Sequence, residues 1–109
     1  MGLTKSQIFS SDQNEIASFA KVLGHPARIA ILQHIIKQNS CICNDLVHEI
    51  GLAQATISQH LRELKNIGII HGTIDGTRVC YCINSEKWNE IQHKLGTLFT
   101  GFDKTTNCC

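Results

Sequence analysis

The segment Leu46 to Gly68, LVHEIGLAQATISQHLRELKNIG, constrains this chain more than any other, because a short helix, a glycine turn and a second amphipathic helix follow one another without a spacer. In the second helix Ile57, Leu61 and Leu64 fall at i, i+4 and i+7 on one inward face, which leaves Gln54, Ala55, Ser58, Gln59 and Arg62 facing out. Such a face suits the major groove of DNA. Gln and Ser pair with base edges, Ala55 or Thr56 can meet a thymine methyl, and Arg62 with Lys65 can neutralise phosphates. His60 lies inside the same helix and either packs or touches phosphate. An ordinary helical hairpin with a solvated outer face shares the same apolar spacing, so the reading leans on what flanks the segment.

Upstream, Asp12 and Glu15 form a D-x-x-E helix start, and Ile16, Phe19, Ala20 and Leu23 recur at helical spacing until Gly24. Pro26 opens the next helix, in which Ile29, Leu32 and Ile36 are the expected buried stripe, widened by Ile31 and Ile35. A short helix is expected over Asn44 to Ile50, a turn at Gly51, and the reading helix from Gln54 or Ala55 to about Asn66. Beyond Gly68, Ile69 to Ile74 and Arg78 to Ile83 read as two strands joined around Asp75-Gly76, a hairpin placed where a wing belongs. Arg78, near its tip, can enter the minor groove or clamp a phosphate. After the capping residues Asn84 and Ser85, a stripe of Trp88, Ile91, Leu95, Leu98, Phe99 and Phe102 runs to the end of the chain.

These elements predict a mainly α winged helix-turn-helix with a two-stranded wing. It forms a single domain over 1–109, with a loose N-terminus at 1–10 and a C-terminal tail at 103–109. One small core cannot absorb both terminal stripes, so the first and last helices are expected to pair across a two-fold axis. Such a homodimer would address palindromic double-stranded operator DNA with half-sites about one turn apart.

A formal net charge of +1 disfavours a general polyanion binder and leaves a local cluster of Arg62, Lys65 and Arg78. Six cysteines in a chain without a signal peptide or long apolar run point to a cytoplasmic protein with no membrane role. There, thiols bind ions or sense redox state rather than staple the fold. Cys41-Ile42-Cys43 opens the short helix of the reading motif, where amide donors and the helix dipole favour thiolates. Cys80 and Cys82 alternate along the second wing strand and read more readily as half-buried packing residues than as ligands. Cys108 and Cys109 close the chain and can supply a third sulfur to an ion held by Cys41 and Cys43. The six histidines show no paired ligand spacing, so a histidine-rich zinc site is not supported.

Taken together, LGHPARIAIL, CICNDL, QATISQHL and GTRVCYCIN make nearly the whole chain resemble the ArsR/SmtB family of metalloid-responsive repressors. The resemblance implies a dimeric winged helix-turn-helix repressor, and not an enzyme, released from its operator by an ion. For arsenic-type members it implies As(III) or Sb(III) bound at the C-x-C, here Cys41 and Cys43, with other thiophilic ions as further candidates. Two departures bear on the inducer. Leu46 stands where some arsenic sensors carry a third cysteine, and the ligands of other sensors are missing, both the N-terminal cysteines of lead and cadmium sensors and the acidic and histidine ligands of zinc, cobalt or nickel sensors on the last helix. A thiol redox or persulfide-sensing repressor of the same fold is the nearest rival. A cysteine-dependent enzyme or thiol ion store is the more distant one, disfavoured by the lack of a C-x-x-C, a phosphate loop or a Cys/His nucleophile set.

Overall fold

The computed structural model describes residues 5–42 and 46–102, with backbone alone for residues 5, 6 and 75. Helices α1 (Lys5–Ile8), α2 (Ser11–Leu23), α3 (Pro26–Gln38), α4 (Leu46–Ile50) and α5 (Gln54–Asn66) precede a hairpin of β1 (Ile70–Asp75) and β2 (Arg78–Ile83). Helix α6 (Ser85–Thr100) follows. This is the mainly helical architecture with a two-stranded wing that the sequence predicts. Among the described residues no helix is long and apolar enough to cross a membrane.

The start of α2 differs from expectation in an instructive way. Ser10, not Asp12, is the cap: its Oγ accepts from the Gln13 amide at 3.1 Å, and Gln13 Oε1 accepts from the Ser10 amide at 3.0 Å. Asp12 lies in the first turn and Glu15 in the second, and both receive Lys94 Nζ of α6, at 2.6 and 2.9 Å. That shared ammonium ties the first long helix to the last and raises the Lys94 pKa, chiefly through the hydrogen bonds to Asp12 and Glu15.

Helix α3 is capped by His25, whose Nδ1 accepts from the Ala27 amide, and stops at Asn39 in the left-handed region. Its buried face is Ala27, Ile31, Leu32 and Ile35, whereas Ile29 and Ile36 remain 39% and 48% exposed. The expected stripe is therefore turned by about one residue. Only Leu32 of the predicted trio reaches the core, because α4, α5 and β2 pack on the Ile31–Ile35 side.

In α5 the predicted inward face holds: Ile57, Leu61 and Leu64 are buried, with Leu64 fully so. They meet Phe19, Ile31, Ile35, Ile69, Ile70 and Ile91 in one core. The wing reverses through Gly76 and Thr77, with Gly76 at φ +67°, where a side chain would be strained. Its register pairs Ile70 with Ile83 and Asp75 with Arg78. A third segment joins it: Ile42 pairs antiparallel with Tyr81 through reciprocal amide–carbonyl bonds of 2.9 and 2.8 Å. On α6, Ile91 is buried and Trp88 and Leu95 pack against the core, while Leu98, Phe99 and Phe102 are 55–73% exposed.

Leu64→Ala should cost about 2–5 kcal/mol in urea unfolding, since it empties the best-packed point of the core. Phe99→Ala, which removes a side chain already in solvent, should leave the monomer's unfolding free energy within about 0.5 kcal/mol of wild type.

Candidate nucleic-acid interface and cysteine bridge

The outer face of α5 carries the predicted residues. Gln54, Ala55, Thr56, Gln59, Arg62 and Lys65 are exposed and Ser58 is half-buried. These side chains are partly ordered among themselves: Gln54 Nε2 donates to Ser58 Oγ at 3.3 Å, Arg62 Nη1 to Gln59 Oε1 at 2.9 Å, and Gln59 Nε2 to Glu63 Oε1 at 3.3 Å. Neighbours three and four apart on a helix meet in this way, so the polar row is pre-arranged before any partner arrives. Ala53 caps α5 without a side-chain hydrogen bond, which leaves first-turn amides available to a phosphate oxygen.

The wing closes on this helix. A polar cleft of about 260 Å³ between them is lined by Gln54 and Ser58 on one side and by Thr77 and Arg78 on the other. The exposed Arg78 thus shares one rim with the helix residues expected to read base edges. That juxtaposition is what a groove-reading helix with a backbone-clamping wing requires.

His60 does not belong to that face. It is 7% exposed and turned inward, where its Nδ1 accepts from Arg28 Nε at 3.1 Å and its ring lies 4.3 Å from that of His25. Arg28 also donates to the Val22 carbonyl at 3.1 Å, so one guanidinium latches α2, α3 and α5 together. Both imidazoles accept at Nδ1. Burial, then the neighbouring His25 and Arg28, pushes the His60 pKa below its ordinary value.

The cysteines hold the main surprise. Cys41 and Cys82 form a disulfide across 41 residues, with Cα atoms 4.4 Å apart. Cys80, buried on the same strand, is disulfide-bonded as well. Cys41, expected as a free thiolate beside Cys43, is thus joined in this state to a strand cysteine expected merely to pack. Cys43, Cys108 and Cys109 lie outside the described residues, and among the described residues no three His, Cys, Asp or Glu side chains form a metal-holding group. The missed signal was the Ile42–Tyr81 pairing, since an antiparallel bridge at 42 and 81 sets 41 opposite 82.

The family model described as "Bacterial regulatory protein, arsR family" matches residues 25–71. The cadmium resistance transcriptional regulatory protein CadC of Listeria innocua is 31% identical over 76% of this chain and 70% of its own length. This chain therefore belongs to the arsR family. The HTH-type transcriptional regulator Rv0081 of Mycobacterium tuberculosis is 34% identical over 62% of this chain, a match that spans 59% of the relative's length. Its crystal structure aligns with a TM-score of 0.64 at 25% identity, covering 85% of this chain and 97% of that one. The homodimeric winged helix-turn-helix DNA-binding domain of Mb0332 from Mycobacterium bovis shares the fold, with a TM-score of 0.65 at 17% identity over 100% and 99% of the two chains.

Because the folded His60 holds its proton less tightly than the unfolded one, the unfolded chain gains protons first as pH falls. Stability is full above about pH 6.5, the ordinary imidazole value, and declines as pH drops below it. In His60→Gln, unfolding midpoints measured from pH 7.5 down to pH 5 should fall less steeply than in wild type.

Proposed function

We propose that this protein is a homodimeric, operator-binding transcriptional repressor whose hold on DNA is set by the thiol state of Cys41 and Cys82. The reading helix would enter successive major grooves with Gln54, Ala55, Thr56, Ser58, Gln59 and Arg62. Lys65 and Arg78 would neutralise the flanking phosphates. Dimerisation is supported by the exposed Leu98, Phe99 and Phe102 and by the homodimeric fold relative. As a DNA-bound regulator it would act in the cytoplasm.

The observation that carries the switch is the disulfide itself. It ties the segment entering α4, the first helix of the reading pair, to the strand that bears Arg78. Forming or opening that bond constrains or frees the wing relative to α5, so the two halves of the DNA contact depend on it. We assign DNA binding to the reduced dimer and release to the oxidised one.

A second reading keeps As(III) or Sb(III) as inducer. Reduced, Cys41 and Cys82 would present two sulfurs on Cα atoms 4.4 Å apart, close enough to chelate one thiophilic ion. The relationship to a cadmium resistance regulator supports an ion of that class.

Mobility shifts on DNA upstream of the protein's own gene separate the readings. Oxidation should weaken binding of the wild type by about 5- to 150-fold, the range of a 1–3 kcal/mol coupling, and should leave Cys82→Ser unaffected. Release of the reduced protein by As(III) without oxidant would instead favour the ion. Arg78→Ala should lower affinity for all sequences alike and reduce the salt slope by about 1, whereas Gln54→Ala with Ser58→Ala should relax sequence preference.

A further inference from the structure

The Cys41–Cys82 disulfide is not on a flat surface. It forms part of the wall of a groove of about 420 Å³ between the end of α3, the end of β2 and the start of α6. That volume lies within the range of about 300–1,000 Å³ usual for small-molecule sites. Ile36 and Trp88 supply an apolar side, Asn39 and Asn89 offer amide donors and acceptors, and no charged side chain lines it. Cys41 is exposed at this wall and Cys82 is half-buried.

We propose that this groove is a docking site for a low-molecular-weight, peptide-like thiol that opens the Cys41–Cys82 bond by exchange. The inference rests on the reading of that pair as the switch. The occupant follows from the chemistry of the walls. A disulfide reacts with a thiolate, and the amide side chains of Asn39 and Asn89 suit a peptide group. The incoming thiolate attacks Sγ of the more accessible Cys41. The Cys41–Cys82 bond breaks as the new S–S bond forms, and Cys82 leaves as a thiolate that takes up a proton. A second thiol molecule attacks the mixed disulfide, releasing its own oxidised dimer and the Cys41 thiol. Two electrons pass from two thiols to the protein, and repression is restored.

The full-length protein, oxidised under mild conditions, is treated with rising concentrations of reduced glutathione or of 2-mercaptoethanesulfonate, a compact charged thiol. Alkylation and peptide mapping follow Cys41, so the state of Cys80 does not enter. Trp88 is the sole tryptophan, and its emission reports groove occupancy through non-reactive S-methylglutathione. The proposal expects a Cys41 release rate that saturates with glutathione but rises linearly with the compact thiol, and a shift in Trp88 emission with the S-methyl derivative. In Asn89→Phe, which fills the groove from an exposed position, the glutathione rate at low concentration should fall by about tenfold or more, while the compact thiol's rate and the Trp88 spectrum of the apo protein stay near wild type. Linear dependence on both thiols with Asn89→Phe unchanged, or reduction only by a thioredoxin-type protein, overturns the groove as a docking site. Equal operator affinity of oxidised and reduced protein instead sinks the switch on which it rests, and failure of mild oxidation to join Cys41 to Cys82 sinks both.

Discussion

The pairing of Ile42 with Tyr81 is the constraint on which the rest of the arrangement depends. Two backbone hydrogen bonds turn the wing from a bare hairpin into a sheet with a third, one-residue edge. An isolated two-stranded hairpin is marginal in water, and this edge anchors it to the helical body through a buried isoleucine. The same register brings Cys41 to Cys82, so the covalent bond reinforces a contact that backbone pairing already specifies. Closing a loop of this length removes about 4 kcal/mol of unfolded-chain freedom in the chain-entropy account, a large share of a small domain's net stability.

The reading helix is held from the opposite side by different chemistry. Leu61, Leu64 and Ile57 anchor it by burial, and the Arg28–His60 hydrogen bond fixes its middle turn to α3. The helix is therefore tied to the core whatever the cysteines do, whereas the wing is tied both by its own buried Ile70 and by the segment that carries Cys41. Under the proposed reading, a change at sulfur would reach the DNA face through the wing. The polar cleft shared by Gln54, Ser58 and Arg78 is where that change would be felt.

Much of this was legible in the sequence because it follows from local periodicity. The 57–61–64 spacing set the inward face of α5, and the Gly76 turn between alternating strands set the wing. Legibility failed where a neighbour chose between equivalent local options. Helix α3 is apolar over so wide an arc that its sequence does not say which isoleucines face inward, and the packing of α4, α5 and β2 decides it. Ser10 and Asp12 are both good caps, and the ammonium of Lys94, 82 residues distant in sequence from Asp12, claims the second. His60 sits at the edge of the inward face, three residues after Ile57 and four before Leu64, so helical spacing allowed it to pack, and Arg28 and His25, distant in sequence, supply its partners. The cysteine bridge was least legible, since it depends on a strand register between segments 41 residues apart, and a strand cysteine at 82 reads locally as packing.

The account turns on the wing being coupled to the helical body through Cys41 and Cys82, and the amides of Ile42 and Tyr81 report on that coupling directly. Hydrogen exchange at these two amides, compared between oxidised and reduced protein, is the decisive measurement. The account predicts that reduction accelerates exchange at Ile42, Tyr81 and the neighbouring wing amides while the core amides of α5, including Leu61 and Leu64, keep their protection. Equal protection of Ile42 and Tyr81 in the two states would show that the bond does not govern the wing, and would contradict the account.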